Sequence, residues 1–90
     1  MPFADVELET PILEVTPESS PEELLQMGLI YSTGLGVEED FVEAHKWFNL
    51  AASKGNDDAK LYRKDLADQM SSTEIAEAQK SARIWLGLMN

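Results

Sequence analysis

Ninety residues bound the chain to one small domain, which can bury only a modest fraction of its surface and has little stability in reserve. There is no cysteine, no apolar run long enough to span a bilayer and no basic start leading into an apolar stretch. Disulfides, a membrane span and a secretory signal therefore lack support, and the expected compartment is the cytoplasm. Seventeen acids against seven basic residues give a net charge of −10, which argues against nucleic acid and anionic membranes as partners.

The acidity belongs to the first half. Residues 1 to 45 hold eleven acids and no Lys or Arg, whereas residues 46 to 90 hold six acids and all seven basic residues, for net charges of −11 and +1. Such a field solvates the chain and would also steer it toward a basic surface.

Residues 1 to 19 carry Pro2, Pro11 and Pro17, with Val6-Glu7-Leu8-Glu9 alternating and Ile12-Leu13-Glu14-Val15 following. The prolines disfavour both a helix and a central strand, so an extended acidic arm or one edge-like strand is expected here. Its apolar content is high for a linker. Phe3, Val6, Leu8, Ile12 and Leu13 could dock along the helices of their own chain or a neighbour, or the arm could fray.

Ser20-Pro21-Glu22-Glu23 combines an N-cap serine, a proline at the first helical position and a glutamate three residues after the cap, so a first helix is expected from Pro21. Leu24, Met27 and Tyr31 recur at helical spacing. Gly28 beside them costs about 1 kcal/mol against alanine in a helix interior, which points to a close backbone contact. Gly34 and Gly36 end the helix and turn the chain. Asp40 and Glu43 read as a second capping box, and Phe41, Ala44, Phe48, Ala51 and Ala52 form the apolar stripe of a second helix running to about Lys54, with Gly55 as its cap.

The run Met27-Gly28, Tyr31, Gly34, Gly36-Val37, Asp40, Glu43-Ala44, Trp47-Phe48, Ala51-Ala52, Gly55 and Ala59 resembles the Sel1-like repeat at that family's spacing. The resemblance implies a right-handed array of antiparallel helix pairs, similar to tetratricopeptide arrays, serving as an adaptor for other proteins. Some Sel1-like proteins are exported and cysteine-rich, and this chain departs from that pattern.

Beyond Gly55 the pattern degenerates. Asn56 can cap a third helix over about Asp57 to Gln69, but at a 36-residue offset Arg63, Lys64 and Ala67 fall where Met27, Gly28 and Tyr31 stand, and the apolar residues shift to Leu61, Tyr62, Leu66 and Met70. The fourth helix is plainer. Ser71 and Glu74 make a capping box, and Ile75, Ala78, Ala82, Trp85, Leu86 and Met89 repeat the spacing of the second helix, with Ala78 and Ala82 leaving room for Tyr62 and Leu66. The expected fold is thus all-α: two antiparallel helix pairs of Sel1-like or tetratricopeptide-like type behind an extended N-terminal arm. Residues 20–55 form the first repeat and residues 56–90 a degenerate capping repeat.

Chemistry is sparse. Gly34-x-Gly36 follows a helix, not a strand, and lacks the third glycine and lysine of a phosphate loop. Glu38, Glu39, Asp40 and Glu43 lack the alternation and central glycine of a calcium loop. His45 is the only histidine and reads as a partly exposed helix residue, with no second soft ligand for a metal. Trp47, Phe48, Trp85 and Tyr62 read as core. No nucleophile has a sequence signature naming its base, so no enzyme, cofactor or metal is expected.

The reading that remains is a protein-binding module, its partner unknown, recognising through Leu25, Leu29, Leu61 and Asp65 on the inner face of the first helix of each pair. An acidic inhibitor acting by charge on a basic protein is the alternative. An array this short also leaves its ends to be covered, so a homodimer is expected through the last turn, with Ile84, Trp85 and Leu88 at its face.

Overall fold

The computed structural model describes residues 15–87; the arm up to Glu14, together with Leu88 and Met89, lies outside the described residues. Four helices and no strand occur among the described residues: α1 (Pro21–Thr33), α2 (Phe41–Ser53), α3 (Asp57–Ala67) and α4 (Ser72–Trp85). The expected all-α fold holds.

Each helix begins where a side chain can satisfy its free N–H groups. Ser20 and Ser71 form complete capping boxes with Glu23 and Glu74, and Asn56 Oδ1 accepts from the Ala59 N–H at 2.8 Å. The box expected at Asp40 is only half present. Asp40 Oδ1 accepts from the Glu43 N–H at 3.1 Å, but the Glu43 carboxylate turns away to Lys46, 2.7 Å from Nζ. The Asp40 N–H donates instead to the Tyr31 carbonyl at 3.0 Å, which ties the start of α2 to the end of α1. Gly34, at φ 74°, ends α1 in the left-handed region and donates its N–H to the Ile30 carbonyl at 2.9 Å.

The antiparallel α1/α2 hairpin closes on Gly28. A Cβ at that position would collide with the Phe48 ring, whose Cγ lies 3.0 Å from where it would sit, so the helices approach more closely than any side chain allows. Leu24, Met27 and Ile30 of α1 bury themselves with Trp47, Leu50, Ala51 and Ala52 of α2, joined by Ala59 and Ala82. Ala44, Phe48 and Leu66 form a second cluster.

The second pair is joined less directly, because α3 and α4 each pack against α2 far more than against one another. Several expectations change as a result. Tyr62 is not core: it stacks on Phe48 at 5.4 Å between ring centroids and stays 43% exposed. Trp85 is half-buried and meets Trp47 edge to face at 5.0 Å. Ala82 makes room for the cluster around Trp47, whereas Leu66 joins the cluster of Phe48. Three helices covering α2 also bury His45 to 2% exposure, correcting the partly exposed position expected of it.

Two helix ends come earlier than expected. α3 stops at Ala67 rather than Gln69, and α4 stops at Trp85, followed by Gly87 at φ 78°. The helix expected to carry Ile84 and Leu88 one turn apart therefore ends between them. Ahead of α1, Thr16 to Ser19 make a turn closed by Ser19 N–H to the Thr16 carbonyl at 2.9 Å. Lys54 Nζ, at the cap of α2, donates to the carbonyls of Pro17 and Ser19, and Val15 packs on the core.

Candidate functional site

α3 presents two large apolar side chains to solvent, Leu61 and Tyr62. Its Asp58, Leu61, Tyr62 and Asp65 recur at three- and four-residue intervals, so they project from one side of the helix and line a hollow of about 370 Å³. Tyr62 and Asp65 also line a second hollow of about 290 Å³, whose other walls are Ser32 of α1, Phe41 and Phe48 of α2, Leu66, and Gln69 just past α3. Tyr62 and Asp65 thus stand as a ridge between two depressions.

The floor is apolar and rigid because Phe48 is held between Gly28 on one side and Tyr62 on the other. Leu61 is 66% exposed, although it sits in a well-capped helix. Every charged group lining the two hollows, Asp58 and Asp65, is negative. Arg63 of the same helix is turned to α2, where its Nη1 donates to Asn49 Oδ1 at 2.8 Å.

The structure brings Leu61 and Asp65 together, as the sequence leads one to expect, but separates them from the other two residues of that set. Leu29 is half-buried and lines a different cavity of about 350 Å³ with Gln26, Ile30, Thr33 and Leu35. Leu25 packs between the two core clusters and lines none of these hollows. Ile84 is 54% exposed, Trp85 is committed to Trp47, and Leu88 lies outside the described residues. Sequence reasoning missed Tyr62, Phe41 and Gln69 as surface elements. The signal was the spacing of Asp58, Leu61, Tyr62, Asp65 and Gln69 along one helical face, masked by the assignment of Tyr62 to the core.

Behind the site lies a polar stretch of α2 buried without full satisfaction. His45 Nδ1 and Trp47 Nε1 have no hydrogen-bond partner. Burial holds the His45 imidazole below its ordinary pKa, with Arg63 adding to the shift, so it stays neutral at pH 7. Lys46 is 8% exposed, with Nζ 2.7 Å from the Glu43 carboxylate and 4.3 Å from the centroid of the Trp47 ring. Burial likewise raises the Tyr31 phenol above its ordinary value, helped by Glu43 and Asp40. None of these groups lines the hollows on α1 and α3. Among the described residues, no three His, Cys, Asp or Glu side chains are placed to hold a metal, and no helix is long and apolar enough to cross a membrane.

Comparison with curated proteins and with solved structures returned no match. The family model described as Sel1 repeat matches residues 24–56, which span α1 from its first buried leucine, all of α2 and the cap of α3. Sel1 repeats are generally protein–protein interaction modules. The Gly28/Phe48 closure, the turn at Gly34 and the buried Ala44, Ala51 and Ala52 are what this stretch of the family pattern builds here, and residues 24–56 of the chain are a Sel1 repeat.

Proposed function

We propose that the chain is a protein-binding module whose site is the α3 face, where a partner segment seats an apolar side chain over Phe48 and Leu66 and pairs a basic side chain with Asp58 and Asp65. The observation that carries this reading is the exposure of Leu61 and Tyr62 beside a hollow floored by buried aromatic carbon. Exposed apolar side chains next to a pre-formed concavity supply binding energy without reorganisation, and acids of one sign select the partner's charge.

Selection from a displayed library of random peptides tests it. Enriched sequences should pair a Leu or aromatic residue with Lys or Arg. Leu61→Ser and Asp65→Lys should each weaken the selected peptides about tenfold or more while leaving the melting temperature within a degree or two, since exposed substitutions change stability little. Enrichment of acidic sequences, or binding indifferent to both substitutions, would count against the α3 face.

A second reading rests on the charge of residues 1 to 45, in which the chain inhibits a basic protein by electrostatic attraction alone. Raising salt separates the two, because charge-only binding should collapse while binding through the hollow persists. Self-association is an accompanying proposal, resting on exposed Ile84. Light scattering on eluting fractions checks it: a mass of 10.0 kDa at every micromolar concentration rules the dimer out.

A further inference from the structure

The cavity on α1 has no role in binding at the α3 face. At 100° per residue, Gln26 and Thr33 lie on the side of α1 opposite Gly28, the half-buried Leu29 and the core residue Ile30 flank them, and Leu35 closes the far end. Thr33 Oγ1 donates to the Leu29 carbonyl at 2.7 Å, which leaves Gln26 as the one lining side chain with free polar groups. Leu35 stands 62% exposed. The result is an uncharged, carbon-lined groove on the outside of a small domain, a surface that is normally covered.

We infer that this groove is the seat of the chain's own residues 6 to 13. Three observations converge on that occupant. The first is continuity: Val15, where the described chain begins, packs on the core cluster that contains Ile30, and Ile30 is also a wall of the groove. The turn at Thr16 to Ser19 and the hold of Lys54 on the Pro17 and Ser19 carbonyls fix that starting point beside α1.

The second is length. From Leu24 to Thr33 α1 rises about 14 Å, while nine extended residues reach about 30 Å, so residues 6 to 14 can run the length of the groove from Val15 without strain. The third is charge and pattern. Val6 and Leu8 share one face of an extended segment and Glu7 and Glu9 the other, so an apolar edge can meet the groove while the carboxylates stay in water. Such a segment is repelled by Asp58 and Asp65 on α3 but meets no charge in the α1 lining. Two acids flank the groove, Glu22 one turn before Gln26 and Glu39 beside Gly34 at the far end, and the outward carboxylates of the segment avoid both. The two concave faces therefore sort their occupants by charge: the acidic segment to α1, a basic partner to α3.

Cysteine pairs in the full chain test the assignment, since the chain has no native cysteine. Seven extended residues back from Val15 span about 23 Å, enough for Leu8 to reach Leu35, which tolerates substitution because it is exposed. Leu8→Cys with Leu35→Cys should oxidise to an intrachain disulfide about tenfold faster than Leu8→Cys with Gln79→Cys, an exposed control position on α4 outside the groove. Adding Val6→Glu and Ile12→Glu should bring the first rate down to that of the control. Equal rates for the two pairs would overturn the docking. Disulfide-linked dimers in place of the intrachain product would give the groove to a second copy and overturn the assignment in cis.

Discussion

The α1/α2 hairpin buries four residues of its first helix and eight of its second, whereas α3 and α4 bury two each. The same chain thus carries one helix pair closed on itself and one pair that leans on it. In the first, glycine against phenylalanine brings two helices into contact along their length, and little apolar surface is left over on the α2 side. In the second, α3 is amphipathic with its apolar residues split: Ala59 and Leu66 face α2, while Leu61 and Tyr62 face water. A helix that spends only part of its apolar content on the core has the rest available for a partner. The family match ends at residue 56, where this change of style begins.

The largest test of this contrast is Gly28→Leu. It forces a side chain into the Phe48 ring and should cost about 3 kcal/mol, read by thermal or urea melting. Shortening the opposing ring with Phe48→Leu should return part of that loss in the double variant, as expected for two residues in contact. A parent-like melting temperature for Gly28→Leu would mean that the hairpin is not the rigid half.

A smaller effect is expected at the other pair. Trp85→Ala removes the edge-to-face partner of Trp47 from a half-buried position and should cost about 2 kcal/mol. Amide exchange then gives the sharper result: protection should fall across α4 and hold in α1 and α2. Uniform loss along the chain would show one cooperative unit and erase the distinction.

The smallest effect concerns pH. The folded chain holds His45 below its ordinary value of 6.5, so the unfolded state takes up a proton before the folded state does. The stability that neutral His45 contributes is complete above the unfolded value. It is lost as pH falls from about 6.5 toward the depressed folded value, where the loss levels off. His45→Leu should flatten the stability curve in that window relative to the parent. Parallel curves would show that His45 reaches solvent.

Much of the first pair was legible because its signals are local. A serine followed by proline and glutamate, a glycine at a contact, and a glycine after the last turn each act within a few residues, and Ser20, Gly28 and Gly34 do what their neighbours imply. The misreadings share a different cause. Glu43 left its expected capping partner because Lys46 offered a charge one turn away, and His45 was buried by helices that its own segment does not mention. Tyr62 was placed in the core by its type, whereas its fate depended on how far α4 stands from α3. Of the four residues read as the binding face, Leu61 and Asp65 share a helix side that spacing reveals. Leu25 and Leu29 were separated from them by the rotation of α1 about the Gly28 contact, a tertiary quantity.

The chain's two tryptophans, Trp47 and Trp85, form a single edge-to-face pair across the α2/α4 interface. Its intrinsic tryptophan emission is therefore a reporter for one interface only, while far-ultraviolet circular dichroism averages over all four helices. If the leaning pair opens before the closed one, emission will change at a lower denaturant concentration than ellipticity, and the gap between the two midpoints will measure how independently the halves of the molecule melt.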